Sequence, residues 1–455
     1  MKFRTISFSS IGVLFLCIGF GGCTSIHEDN KTDRRNLHRE IQKRTGVDLT
    51  APGDSNSEEA VTEEVKHLLS KALTEESAVR IAILNNREFR ELYETLGVSR
   101  AALIQAGILT NPVFEANAKF FRGATEIELG IAESFLDIFL MPLRKRIAES
   151  EFEVSRARVT RELIHLIFDV RRAFVKISSA RKILEIYGKM RDTARASYDL
   201  MKELHKAGNV TDPELTTEEI ILSHAKLEHS SAHAKLYESR EVLNRLLGLW
   251  GRDILWTESA DLPETFNIAS MQEHVENRSI SKSLNLAENR ARIEASARRG
   301  GIVDWETFMN ADLGLAAKRE TAGDWGIGPA VRVPIPIFDR GGARSAEAAA
   351  QTSEYLHHHA VLAVEIRSMA RVLRERLITF VEQADYIKNT HLPLRARLVR
   401  ETLQNFNAMQ IGAFEVLAAR REEVDAEREY IESLCNARIA KLDLEELLAG
   451  NFVEH

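Results

Sequence analysis

The chain has 455 residues, with 61 Lys and Arg against 68 Asp and Glu and a net charge of −7. That balance excludes the basic footprint of a nucleic-acid binder, and three cysteines exclude a disulfide framework. Only nine prolines and 24 glycines occur, with neither type between 214 and 247 nor between 413 and 449, so long uninterrupted helix is expected.

At the N-terminus Lys2 and Arg4 precede an apolar run from Ile11 to Phe20, then Gly21-Gly22-Cys23. This is the order of a basic n-region, an h-region and small residues at a cleavage point, and the run is short for a spanning helix. Residues 1–22 resemble a bacterial lipoprotein signal, with Cys23 as the lipidated first residue. An ordinary signal with an incidental cysteine is the alternative. Removing 1–22 takes away Lys2 and Arg4 and no acid, which leaves a net charge of −9. Cys17 leaves with the signal and Cys435 stands alone. Residues 23–70 are polar without a sustained apolar period and read as a mostly extended tether.

Residues 71–250 form a first repeat. Thr74 is a plausible N-cap with Glu75 and Glu76 in the first turn, and Val79, Ile83, Phe89, Leu92, Leu96 and Leu103 then recur at helical spacing up to Asn111-Pro112. A β-hairpin is expected over 113–139. Phe114, Ala116, Ala118 and Phe120 share one strand face and Glu115, Asn117 and Lys119 the other; Ile127, Leu129 and Ile131 alternate on the return. Met141-Pro142 is expected to break that strand, and a long helix from Leu143 to Lys206 to reverse near Gly208, with Thr211 or Asp212 as the next N-cap and Pro213 in the first turn. Leu246-Leu247-Gly248 ends the returning helix.

Residues 251–450 repeat the plan, followed by a short tail, 451–455. The second hairpin is expected over 305–337, where Trp325, Ile327, Val331, Val333, Ile335 and Ile337 alternate with small or polar residues. Pro334 and Pro336 then remove ladder donors. A second long helix, Ala343 to Ile411, carries Leu362, Ile366, Met369, Leu373, Leu377, Phe380, Ala384 and Ile387 in steps of three and four, a coiled-coil seam of plain packing residues. It is expected to reverse at Gly412, with Leu447-Leu448-Ala449-Gly450 closing the return. The predicted class is mostly α with a small β part: long coiled-coil helical hairpins in two internal repeats, plus two β-hairpins. A membrane barrel needs about eight strands, so a chain offering four must combine with copies of itself.

This order and its joining residues resemble the TolC family of outer-membrane efflux proteins over roughly residues 70 to 450. The resemblance rests on Leu73-Thr-Glu-Glu-Ser-Ala-Val-Arg-Ile-Ala, Gln105-Ala-Gly-Ile-Leu-Thr-Asn-Pro112, Val333-Pro-Ile-Pro-Ile-Phe-Asp-Arg-Gly-Gly342 and Asn407-Ala-Met-Gln-Ile-Gly412. It implies a homotrimer in which three chains give four strands each to one barrel in the outer-membrane lipid, continued through the periplasm by packed helices. It also implies that the helix turns meet a periplasmic adaptor of an inner-membrane pump. Carried over by position, the adaptor-binding tip is Gly208, Val210 and Thr211 at the first turn and Gly412, Phe414 and Val416 at the second. Asp212-Pro213-Glu214 departs from the apolar residues usual at the first turn. Gly208 and Gly412 could instead be demanded by the backbone alone.

Other chemistry finds little footing. His224, His229 and His233 lie close on one returning helix and His357-His358-His359 on another, but no third ligand type completes a metal site, and consecutive histidines on a helix point apart. No phosphate-cradling loop and no Ser/His/Asp set occurs, so neither catalysis nor a cofactor is expected. Three functions stand: a passive efflux duct for small molecules or metal ions, the duct of a type I protein secretion system, or a non-pore periplasmic coiled-coil scaffold lipoprotein. Amphipathic hairpins speak against the scaffold.

Overall fold

A computed structural model of the chain describes residues 22–49, 58–121, 124–258, 273–308, 312–319, 323–333, 335 and 337–453. Residues 1–21 of the expected signal, both hairpin turns and Pro334 and Pro336 lie outside them. The elements in order are α1 (Gly22–Thr45), α2 (Glu58–Leu69), α3 (Glu75–Asn85), α4 (Arg87–Ala106), β1 (Val113–Phe121), β2 (Ala124–Ser134), α5 (Phe135–Lys206), α6 (Asp212–Leu247), α7 (Val275–Lys282), α8 (Leu284–Phe308), β3 (Asp312–Arg319), β4 (Gly326–Arg332), α9 (Gly342–Tyr386), a π-helical turn (Ile387–His391), α10 (Leu392–Asn407) and α11 (Ala413–Ala449). Two compact units divide the chain: one holds 1–43, 91–161 and 284–364, the other 44–90, 162–283 and 365–455.

The first unit contains the sheet. The two hairpins join edge to edge in the antiparallel order β1-β2-β3-β4. Phe114 pairs with Ile131, Ile131 with Leu315 and Leu315 with Pro329, so the apolar sides of both hairpins form one face. Glu115, Gly130, Ala316 and Gly328 pair across the other. This register is sterically enforced at Gly314, where a Cβ would stand 2.3 Å from the Ile131 carbonyl oxygen. The strands are shorter than the expected hairpins. α5 already begins at Phe135 and contains Pro142, whose missing N–H removes a bond in the early turns without ending the helix. α8 runs on to Phe308, through Trp305 and Thr307, which were expected in a strand.

The stretch expected as an extended tether is helical instead over α1 and α2. Leu37 and Ile41, four apart, are fully buried, and each is worth about 1.5–3 kcal/mol when removed from water. Arg34 pairs with Glu94 at 2.8 Å, and His38 Nε2 lies 3.0 Å from the Tyr93 hydroxyl. Asp33 takes a two-pronged pair from Arg100. Two apolar residues on a polar helix escape a search for a long stripe, yet one stripe of that width suffices when salt links flank it.

The second unit is helical. Thr74 caps α3 as expected, accepting from the Ser77 N–H at 3.1 Å while Ser77 Oγ accepts from the Thr74 N–H at 2.8 Å. The Leu-rich ends of both returning helices stop at glycines in the left-handed region, Gly248 (φ 68) and Gly450 (φ 109). Their last carbonyls are met by side chains from elsewhere in the unit. Asn86 Nδ2 donates to Leu246 O and Asn85 Nδ2 to Leu247 O, both at 2.9 Å. Arg44 Nη1 donates to Ala449 O at 2.9 Å. Ile366, Leu373, Leu377 and Ala384 are buried along α9, as the seam predicted. The second long helix is not uniform, however. Pro393 has no N–H for its fourth preceding carbonyl, and the chain widens there: the Leu392 N–H reaches back five residues to Ile387 O.

Candidate functional site

Both helix reversals adopt the same hydrogen-bonded turn. In the first, the Gly208 N–H donates to His205 O at 2.9 Å and the Asn209 N–H to Leu204 O at 3.0 Å, with Gly208 at φ 78. This pairing is the Schellman motif, whose left-handed residue is usually glycine. In the second, the Met409 N–H donates to Phe406 O and the Gln410 N–H to Asn405 O, each at 2.9 Å, and the left-handed residue is Met409 at φ 58. Gly412, the expected counterpart of Gly208, instead begins α11 with φ −82 and ψ 171, which any residue adopts. The backbone demand for glycine therefore holds at 208 and fails at 412.

Thr211 and Glu214 form a closed cap at the first turn. The Glu214 carboxylate accepts from the Thr211 N–H at 2.8 Å and from its hydroxyl at 2.7 Å. The backbone bond and the hydroxyl bond hold the Glu214 carboxyl below its usual range. His205 Nε2 lies 2.8 Å from Asp212 Oδ1, across the turn. The acidic stretch after Thr211 thus has a local role: it starts α6. Val210 and Val416 are half-buried, while Phe414 is 56% exposed and Met409 is 93% exposed.

Phe414 is not isolated. It lines a groove of about 340 Å³ with Met190 and Ala194 from α5, Ile220 and Ile221 from α6, and Leu417 and Val424 from α11. Beneath lies a packed cluster of Ile186, Met190, Ala194, Leu222, Ala225 and Val424. Lys189, Arg420, Arg421 and Glu427 also line it, together with the buried Glu218. An apolar floor with charged residues beside it suits the side chains of an amphipathic helix. Of the groove residues the sequence singled out Phe414 but not Ile220 or Leu417, whose part depends on three helices meeting at one place.

The sheet is the second functional surface. One face exposes Phe114, Phe120, Ile131, Leu315, Ile327 and Val331, a contiguous apolar patch of the kind that marks a buried interface or lipid contact. The other face carries ion pairs: Lys318 to Glu126 at 3.2 Å, Lys119 to Glu126 at 3.7 Å, and Arg332 to Glu115 at 3.1 Å. Among the described residues β1 and β4 each have a strand neighbour on one side only.

The histidines do not converge. His224 Nδ1 lies 3.3 Å from Glu228, and His229 Nε2 lies 3.4 Å from Arg191 Nη1. Among the described residues no three His, Cys, Asp or Glu side chains are placed to share a metal ion. Nor is any described helix long and apolar enough to cross a membrane. Cys23 belongs to the first turn of α1.

No protein-family model matches the sequence, and no curated protein matches it. Solved structures do. The chain is similar to the outer membrane protein VceC of Vibrio cholerae, with TM-score 0.67 and 14% identity, covering 86% of this chain and 97% of that one. It is similar to the CmeC outer membrane channel of Campylobacter jejuni, with TM-score 0.67 and 14% identity over 89% and 91% of the two chains. Against the open state of the MtrE outer membrane channel of Neisseria gonorrhoeae the TM-score is 0.65 at 13% identity, over 82% and 88%. The fold is therefore the one these channels share, over nearly the whole chain.

Proposed function

With the fold of outer-membrane channels as premise, we propose that the protein is the passive outer-membrane duct of a tripartite efflux system, working as a homotrimer. The observation that carries this reading is the four-stranded sheet with one apolar face, one charged face and unpaired edges at β1 and β4. A strand edge left bare exposes a row of backbone donors and acceptors, and in lipid every such group must be paired within protein. Joining β4 of one copy to β1 of the next satisfies both edges. Three copies then close a barrel with lipid outside and a wet lumen inside.

The duct itself performs no catalysis. Transport is driven by an inner-membrane pump, and the contact with its periplasmic adaptor falls on the turn region. Phe414, Val416, Val210 and the groove beside Phe414 supply the apolar contact. Gly208 and Thr211 shape the first turn, and Gly412 starts α11 beside Phe414. Lipidation of Cys23 adds an anchor at the membrane surface. Cargo selection belongs to the pump.

The test is twofold. Purified trimer in planar bilayers is expected to give discrete conductance steps, and absence of steps from correctly assembled trimer counts against the duct. In cells, deletion is expected to sensitise growth to members of a panel of metals, dyes, detergents and antibiotics. Wild type restores resistance and Phe414→Asp does not at equal expression. Crosslinking from position 414 then identifies the partner, and recovery of a secretion rather than an efflux adaptor would reassign the cargo to protein. Labelling with palmitate, lost in Cys23→Ala, tests the anchor.

A further inference from the structure

Arg332 ends β4 at one edge of the sheet, and Glu115 lies on β1 at the other. Yet Arg332 Nη2 donates to both Glu115 carboxylate oxygens, at 3.1 and 3.2 Å, while Nη1 stands 3.7 Å from Asp312 on β3. The pairing register puts Glu115 opposite the row that ends at Gly328, so the two residues are three strands and four residues apart. On a flat sheet that is roughly 20 Å, further than the two side chains cover. The charged face is therefore concave. Along the crossing, β2 and β3 present only Gly130, Ala132, Gly314 and Ala316, none longer than a methyl group. The guanidinium lies over this floor as a strap, above a recess of about 230 Å³ lined by Glu115, Glu128, Asp312 and Arg332.

Charge is sorted along the same face. Around the strap Glu115, Glu128, Asp312 and Arg332 sum to two negative charges per chain. Nearer the hairpin turns Lys119, Glu126 and Lys318 sum to one positive charge, with Glu126 held between both lysines. A ring of fixed charges in a narrow wet passage sets which small ions enter, and low-dielectric walls focus its field.

We propose that Arg332 is a selectivity-determining residue of the duct: its strap to Glu115 and Asp312 masks a carboxylate ring on the lumen wall and narrows the passage at that level. The inference rests on the duct reading above. In a trimer the strap level carries six negative charges, and neutralising Arg332 raises this to nine. The duct without the strap then prefers cations more strongly and is wider.

The experiment is reversal-potential and conductance measurement in planar bilayers under a KCl gradient at about 0.1 M, where screening extends over roughly 10 Å. Wild type, Arg332→Gln, Arg332→Glu, Arg332→Lys and Glu115→Gln are compared as trimers of verified assembly. Arg332→Gln is expected to raise the potassium-to-chloride permeability ratio at least twofold and to increase conductance. Arg332→Glu goes further, Glu115→Gln shifts the ratio toward chloride, and Arg332→Lys keeps the wild-type ratio. Should wild type conduct while Arg332→Gln and Arg332→Glu share its ratio, the strap has no selective role and the duct stands. Should wild type itself fail to conduct, the duct reading falls and this inference with it. Glu115→Gln reads the same ring from its other end if the Arg332 variants fail to assemble, and an unchanged ratio there also overturns the proposal.

Discussion

His165 Nδ1 lies 2.8 Å from Glu446 Oε1, joining the long helix of the first repeat to the last turns of the final helix. Glu446 is almost fully buried, and its other oxygen takes Arg172 Nη1 at 2.5 Å. Asp169 faces both cations, 3.4 Å from His165 Nε2 and 2.7 Å from Arg172 Nη2, and Asp443 lies 3.0 Å from Arg172. The hydrogen bond to Glu446 raises the His165 pKa above its ordinary value against the cost of burial, with help from the charges of Glu446 and Asp169 and opposition from Arg172.

A raised folded-state pKa stabilises the fold fully below the unfolded value, about 6.5 for histidine, and the contribution disappears as pH rises through the folded value. The melting-temperature gap between wild type and His165→Gln is therefore expected to be larger near pH ~5.5 than near pH ~9. A gap that is equal at both, followed by circular dichroism, would show that folding does not shift the His165 pKa.

Removing Glu446 leaves Arg172, which is largely buried, facing only Asp169 and Asp443. Breaking a buried pair from one side costs about 3–5 kcal/mol. Glu446→Ala is expected to lose that much in denaturant unfolding. Glu446→Gln, which still offers an acceptor to His165 and Arg172, should lose less.

Gly314 and Gly328 look alike in sequence and differ in space. A Cβ at 314 meets the Ile131 carbonyl oxygen and, at 3.0 Å, the Ala132 Cα, whereas one at 328 meets nothing within 4 Å. Gly314→Ala should cost about 1–3 kcal/mol through forced strand separation and reduce assembly of the proposed trimer on gels, while Gly328→Ala should leave both unchanged.

The two Schellman turns invite opposite substitutions. Met409 bears the left-handed penalty of an L-residue, about 1–2 kcal/mol, so Met409→Gly is expected to stabilise by roughly 1 kcal/mol. Gly208→Ala should destabilise by a similar amount. Gly412→Ala, at an ordinary extended φ, should have little effect on unfolding.

Much of this architecture was legible in the residues. Alternation in Phe114–Phe120 and Ile127–Ile131 marked the strands, because one face meets polar surroundings and the other does not. Thr74, Gly208, Gly248 and Gly450 marked helix ends, because each meets a local demand of backbone geometry. Less legible was α1, where among the described side chains Leu37 and Ile41 are the buried apolar ones and ion pairs and hydrogen bonds to residues far along the chain supply further contacts. The start of α5 escaped because Pro142 signals a break, while the helix runs through it at the loss of one backbone bond.

At the turn near 410 the motif pointed to Gly412, since glycine is the residue that tolerates a left-handed backbone. The chain places Met409 there instead, where the length of α10 and its packing on α11 override local preference. So the sequence by itself determined the repeat, the strands and their two-faced character, which depend on residues a few positions apart. Only the tertiary structure decided that the hairpins share one concave sheet, that Arg332 crosses it to Glu115, and that Phe414 lines a groove with residues from α5 and α6. Those relationships join residues separated by up to hundreds of positions, and no local spacing encodes which distant backbone will come within reach.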